Sequence, residues 1–586
     1  MTTVISDTDS DAHKASVQSI RIYNTLSRTK EPLQPVIPGK VSIYLCGPTV
    51  YDKAHIGHMV GPVIFDTVKR YLVYSGYDVT WVVNITDVDD KLINKASERG
   101  ISMQEVAEEN TADYLLNLSG MGVDGIDQMP KATETMAGII DFTRELIDKG
   151  FAYEVKGDVF FDVLKDLEYG KLTNRSVSDV QGQGGEAAAR KRSAADFALW
   201  KSAKTGEPSW DSPWGAGRPG WHIECSAMSR AIFGESFDIH GGGLDLVFPH
   251  HENEIAQSEC CHGKPMAKMW MHNGLLRASA ASGKVGGRGD RDGDGPDAGE
   301  KMSRSKGAGG LADLIGRQGG ERIRFFLLRT HYRSTVLFSE EAIEEAGVGL
   351  ETFYRFFKRY ERITGESYYD VPSAATRGDS ESDRTGDDVL SVVAGARQRF
   401  LAAMDDDFNT GGAIGDLFEL VRTLNKYIDD QQLESPDSRS DAKLNVLRQD
   451  VKTLRELSAT LGLFLSPVEK ADCENVELIG GLMALLIDVR AAGRRNKNFA
   501  VADRVRDGMG PLGITLEDRA DGTDWTAEPG LGEETLNELM KLVIQVRGDA
   551  RASKDFVTAD QIRDGLIALG IQLEDRANDT DWSIEG

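Results

Sequence analysis

At 586 residues the chain is too long for one core and predicts about three to four domains. A hydrophobic content of 40% suits packed globular domains, and five cysteines over this length exclude a disulfide framework. With 94 Asp and Glu against 68 Lys and Arg, the net charge of −26 excludes a generally basic, nucleic-acid-coating surface.

The acid is spread along the whole chain, a halophile-like composition that would keep a protein hydrated in high salt. Residues 1–19 are polar and carry no basic-then-apolar leader. The densest late apolar run, 478–489, holds Gly480, Gly481 and Asp488 and is too short to span a bilayer. A cytoplasmic location without membrane contact is therefore expected.

Residues 41–46 form an apolar run between Gly39 and Gly47-Pro48, which predicts a strand. A loop over 49–58 follows. Apolar residues at helical spacing then predict a helix over 60–74, closed by Gly76, and 79–83 predicts a second strand. This is a βαβ unit, and the loop after its first strand, where a nucleotide-type ligand belongs, reads His55-Ile56-Gly57-His58. Two histidines around a glycine at a helix start can donate to phosphate oxygens.

Helices are predicted over 91–100 and 103–118, then an insertion with a β-ribbon at 151–161 and a Gly/Ala-rich stretch at 181–195. A strand over 237–240 runs into the turn Gly241-Gly242-Gly243, and 269–274 predicts another strand. Residues 278–299 are rich in Gly and Asp. Lys301-Met302-Ser303-Arg304-Ser305-Lys306-Gly307 follows, with three cations and two hydroxyls suited to a polyanion such as a triphosphate.

A helix starts at 320–329, and helical patterns over 340–360, 390–405, 408–429 and 441–465 predict a bundle of about four helices. The last hundred or so residues hold a duplication: Phe499, Asp503 and Trp525 recur 57 residues on as Phe556, Asp560 and Trp582. Each copy predicts two short helices, then a strand-like Gly-Ile-x-Leu-Glu-Asp and a Trp.

One further stretch, Phe248-Pro249-His250-His251-Glu252-Asn253-Glu254, stacks His250 on Glu254 if it is helical. An imidazole and a carboxylate so placed can share a metal ion, with Cys46 and Cys225 as distant partners.

His55-Ile56-Gly57-His58 early and Lys301-Met302-Ser303-Arg304-Ser305 late resemble the two signatures of class I aminoacyl-tRNA synthetases. Three blocks narrow the resemblance to the cysteinyl-tRNA synthetase family: Cys46-Gly47-Pro48-Thr49-Val50-Tyr51-Asp52, the block from Gly220 through Cys225 to Met228, and the block from Phe248 to Gln257. The resemblance implies an α/β fold: a Rossmann-like parallel-sheet catalytic domain with an insertion, then an α-helical bundle and a small duplicated α+β module. The domains expected are 20–119 and 220–338 for the catalytic halves, 120–219 for the insertion, 339–470 for an anticodon-binding bundle and 471–586 for the duplicated module.

It also implies one Zn2+ held by Cys46, Cys225, His250 and Glu254, which binds the substrate thiolate. ATP would lie against Pro48, Thr49, His55, Gly57, His58, Lys301, Ser303, Arg304 and Ser305, with Mg2+. His55, His58, Lys301 and Arg304 would carry the chemistry, and Thr86, Trp221, His222 and Asp245 would contact the amino acid. The family's second signature lysine is Arg304 here, with Lys306 as a stand-in. The partners implied are L-cysteine, ATP and the tRNA for cysteine, and the chain is expected to be a monomer. Two competing readings are a related cysteine ligase acting on a small amine and a non-catalytic, zinc-bearing tRNA-binding relative.

Overall fold

In the computed structural model, residues 19–176, 189–278, 310–380, 388–467, 476–519, 522–527, 533–575 and 580–584 are described. The chain divides into two compact units, 1–465 and 466–586. Among the described residues no helix is long and apolar enough to cross a membrane.

The first unit is built on a four-stranded parallel sheet: β1 (Lys40–Leu45), β2 (Asp78–Val83), β3 (Phe237–Gly243) and β4 (Ala267–Asn273), in the order β4-β3-β1-β2. Consecutive side chains of β1 from Ile43 to Leu45 are all buried, as expected of a strand covered on both faces. β2 lies on one side of β1 and β3 on the other. The order therefore switches between β1 and β3, and a ligand crevice opens there at the carboxyl ends of the strands. α1 (Ile56–Tyr74) links β1 to β2, α2 (Trp221–Phe233) precedes β3, and α3 (Glu252–His262) links β3 to β4.

Two features differ from the sequence expectation. α1 begins at Ile56, not near residue 60, because His55 is its N-cap, and its side chain and that of His58 form a reciprocal capping box. The glycine run is no turn: Gly241-Gly242-Gly243 ends β3. A Cβ on Gly241 would lie 2.1 Å from the Phe65 ring of α1, and one on Gly242 would lie 2.8 Å from the His251 ring. Glycine lets a helix and an imidazole close onto the strand.

The insertion carries a helix, Met136–Asp148, and a four-stranded antiparallel sheet of Ala152–Val155, Asp158–Phe161, Phe197–Ser202 and Gly217–Pro219. Of the Gly/Ala-rich stretch, residues 181–188 lie outside the described residues, as do 279–309 with the Gly/Asp-rich segment and the Lys301–Lys306 motif.

Among the described residues, five helices run from Gly320 onward in the first unit: α4 (Gly320–Leu328), α5 (Glu340–Thr364), α6 (Asp388–Asp405), α7 (Thr410–Asp430) and α8 (Asp441–Thr460). α4, α6 and α8 grip α1 through buried polar side chains. Arg324 of α4 donates to Asp66 at 2.5 Å and to the Leu461 carbonyl at 3.0 Å. Tyr71 donates to Asp405 at 2.6 Å, and Tyr74 donates to Glu456 while accepting from Arg397 at 2.8 Å. Each buried charge thus has a partner, without which its burial would cost several kcal/mol. A helix at Leu311–Gln318 and a short parallel pair, Leu276–Ala278 with Val336–Phe338, had no clear sequence signal.

The second unit contains the duplication: α9 (Val476–Arg495) and α10 (Phe499–Met509), then α11 (Glu533–Ala552) and α12 (Phe556–Ala568). Each pair ends in a hairpin, Ile514–Asp518 with Thr523–Ala527 and Ile571–Asp575 with Thr580–Ile584. The same register recurs, with Leu516 opposite Trp525 and Leu573 opposite Trp582.

Candidate metal and nucleotide site

Cys46 follows β1 directly, and its N–H donates to the Gly241 carbonyl of β3 at 3.0 Å, which sets it at the switch point. α2 brings in Cys225, 2% exposed. The chain between β3 and α3 has Phe248 in extended conformation, φ −137° and ψ 134°, ahead of a wide turn that leads into α3. His250 is thereby one turn from Glu254, with Nε2 2.9 Å from Oε1.

The four sequence-selected side chains meet: their donor atoms lie within 4.8 Å of one another. The Cys46 and Cys225 sulfurs are 3.7 Å apart, and Cys46 Sγ is 3.5 Å from Glu254 Oε1. Donors at ordinary zinc distances, about 2.3 Å for sulfur and about 2.0 to 2.2 Å for nitrogen or oxygen, would stand roughly 3.8 Å apart between sulfurs and roughly 3.3 Å from nitrogen to oxygen in a tetrahedron. The group fits a tetrahedral divalent ion, and its mixed sulfur, nitrogen and oxygen chemistry suits zinc.

The electrostatics point the same way. Burial pushes the Cys46 thiol well up, and the bond Cys46 donates lowers Cys225. Burial opposes the Glu254 carboxylate, but His240 and His250 outweigh it and hold the carboxyl well below its usual range. Burial, with Cys225, Cys46 and Glu254 facing it, pushes the Tyr44 phenol well up. Two sulfurs and a carboxylate crowded into a buried pocket are a charge arrangement that a cation relieves.

Sequence reasoning missed three residues here. His240 Nε2 lies 2.9 Å from Glu254 Oε2, and His251 Nε2 lies 3.3 Å from Cys46 Sγ. His272 Nε2 lies 2.7 Å from His251 Nδ1. Cys46, His240, His251 and Glu254 form a second four-donor group that shares two members with the first. Each of these histidines stood in a strand or beside a chosen residue, and no local pattern separates such a histidine from a core one.

The expected substrate contacts are spread around the cluster. Trp221 lies over His250 with the rings tilted by 31° and their centroids 4.3 Å apart, and His222 Nδ1 is 3.0 Å from His250 Nδ1. Burial keeps His222 neutral at ordinary pH. Thr86 is buried, receives a bond from Asn84 at 3.3 Å and bridges to Thr49 through the backbone, with its N–H on the Pro48 carbonyl at 3.1 Å. A Cβ on Gly47 would fall 1.8 Å from the Asn84 carbonyl oxygen, so this chain crossing requires glycine. Asp245 lies exposed in the turn Leu244–Leu246 beyond β3.

At the start of α1, the His55 and His58 rings stack with centroids 3.8 Å apart. Burial and the neighbouring ring pull His58 down to about 3, so it is neutral at pH 7. Its Nδ1 accepts the His55 N–H at 3.3 Å, which leaves Nε2 as the N–H donor. The helix N-terminus adds positive potential beside this neutral ring. Lys301, Ser303, Arg304, Ser305 and Lys306 lie outside the described residues.

Residues 32–283 match the family described as the tRNA synthetases class I (C) catalytic domain, and 399–465 match the DALR domain. A cysteine--tRNA ligase of Brevibacillus brevis is 43% identical over 508 residues, spanning 86% of this chain and 99% of the relative. A cysteine--tRNA ligase of Thermococcus onnurineus is 42% identical over 509 residues, with the same coverage. Part of this chain therefore has no counterpart in them. Among solved structures, Mycobacterium tuberculosis methionyl-tRNA synthetase in complex with methionyl-adenylate is similar at TM-score 0.52 and 16% identity, over 76% of this chain and 93% of that one, which is a likeness of fold.

Proposed function

This chain belongs to the cysteine–tRNA ligase family, and on that premise we propose that Cys46, Cys225, His250 and Glu254 hold one Zn2+ that selects the amino acid. The reaction is the ATP-dependent ligation of L-cysteine to its tRNA. The substrate carboxylate attacks the α-phosphate of ATP, forming cysteinyl-adenylate and releasing pyrophosphate. The acyl group then passes to the terminal ribose hydroxyl of the tRNA, releasing AMP. When bound, the ion supplies a Lewis-acidic position that a thiolate fills and that a serine hydroxyl or an apolar side chain does not, a discrimination beyond a methylene-scale pocket.

The observation that carries this reading is the convergence of four donors from three distant stretches of chain. His222, turned toward His250 Nδ1, leaves His250 Nε2 for the ion. Trp221 covers the His250 ring and keeps water from that side. Thr86 and Asp245 join them around the amino acid, with Asp245 facing its ammonium group. Pro48, Thr49, His55, Gly57 and the neutral His58 take the nucleotide, and the N-terminus of α1 favours its phosphates. Lys301, Ser303, Arg304 and Ser305 would neutralise the leaving pyrophosphate, and Mg2+ when bound would supply further positive charge there. With no protein nucleophile, the rate comes from placement and charge stabilisation. The helices from residue 339 onward, including the DALR domain, contact the anticodon end of the tRNA, and the protein works as a cytoplasmic monomer.

The test is cysteine-dependent pyrophosphate–ATP exchange followed by transfer to tRNA, with metal content measured on the same sample. Exchange, transfer and one zinc per chain are expected. Exchange without transfer would mark a small-amine ligase, and absence of exchange in zinc-loaded protein would mark a non-catalytic relative.

A further inference from the structure

The two repeats of the last unit touch through equivalent residues. A Cβ on Gly508 would lie 2.4 Å from Leu542 Cδ1, and a Cβ on Gly565 would lie 2.4 Å from Leu485 Cδ1. Each glycine and each leucine is the other's counterpart in the 57-residue duplication. Asn498 donates to Asp555 at 3.0 Å, and those two positions are themselves 57 apart, so they meet on the local axis. α9 packs on both α11 and α12, and α10 packs on α11, which is the pattern generated by a two-fold rotation.

The shared core follows the same rule. Leu482 and Leu539 are counterparts, as are Leu486 and Val543, and all four are 0% exposed. Contacts in which i meets j while the equivalent of j meets the equivalent of i are isologous, the signature of a two-fold dimer interface. One repeat alone, two helices and a hairpin, is too small to bury these leucines within itself.

We propose that the second repeat is a built-in partner for the first: it occupies the surface through which a chain carrying one repeat would pair with a second copy of itself. The interface is that of a homodimer, joined in one chain by the segment between the repeats. Tethering holds the partner at a high effective concentration, so pairing no longer depends on how much protein is present.

The test uses the full chain with a protease site placed within 528–532. After cleavage the second repeat is expected to co-elute with the remainder at micromolar concentration, and its free elution would overturn the proposal. In that cleaved protein, Leu485→Asp and Leu542→Asp should each release the fragment, because they alter equivalent contacts. A chain ending at Ala527 is expected to show twice its mass by light scattering. A monomer of that chain with unchanged hydrogen-exchange protection in α9 and α10 would equally overturn it. These readouts do not involve the active site, so failure here leaves the catalytic reading untouched.

Discussion

Glu254 lies within 4.0 Å of Cys46, His240, His250 and His251, all inside the parallel-sheet unit. The core of the last unit, from Ile479 to Ile571, is aliphatic throughout apart from its methionines. Both regions are largely buried, but burial acts differently in each. Around Glu254 it sets ionisable groups against one another, an arrangement that costs free energy until a cation or a proton balances it. In the repeats it stabilises directly, at about 25 cal/mol per Å² of apolar surface. The first region is organised for a ligand and the second for cohesion, so substitutions should separate activity from stability.

The largest expected effect is that of Cys225→Ala, which should lower cysteine-dependent exchange on the order of 10³-fold or more, about 4 kcal/mol of transition-state stabilisation. Metal analysis should show the zinc lost with it, while the unfolding transition of the repeats stays in place. Zinc retained at one per chain would break the comparison. Leu482→Ala and Leu539→Ala should do the opposite. Each should destabilise the last unit by about 2–5 kcal/mol in denaturant titrations, with cysteine-dependent exchange unchanged.

His222→Ala tests how far the ligand-organised region extends beyond the donors. Losing the partner of His250 Nδ1 should weaken zinc binding about 10–100-fold in a chelator competition, with the fold intact. The smallest effect belongs to Asp518, where Arg490 donates at 2.6 Å and holds the carboxyl well below its usual range. In the unfolded chain that carboxyl titrates near about 3.9, so its contribution is present above that pH and is lost as pH falls toward the lower folded value. Asp518 is 44% exposed, so the loss is at most about 1 kcal/mol after solvent screening. Asp518→Asn should destabilise the unit at pH 6 and by less near pH 2, where the unfolded carboxyl is protonated and the folded one is not yet.

Much of the architecture was legible locally. The strands at 41–46 and 79–83, the helix between them and the 57-residue duplication all announce themselves by apolar period or repetition. One error fell where long-range contacts override local signals. Gly241-Gly242-Gly243 reads as a turn, yet it completes β3, since Phe65 and His251 leave no room for side chains. The other error was local: residues 49–58 read as a loop, yet α1 starts at Ile56 because His55 and His58, three residues apart, cap it reciprocally where Ser, Thr, Asp or Asn is the usual signal.

The site divides in the same way. The sequence by itself determined the residue types that could bind a metal or a nucleotide, the βαβ frame around them and the existence of two like repeats. Only the tertiary structure decided that β3 lies beside β1, which brings Cys46 against His240 and His251 and draws Cys225 within 3.7 Å of it. It alone decided that the repeats face each other reciprocally. Period and propensity act over a few residues, whereas these pairings span 34 to about 200 and depend on strand order and helix packing, which local signals do not encode.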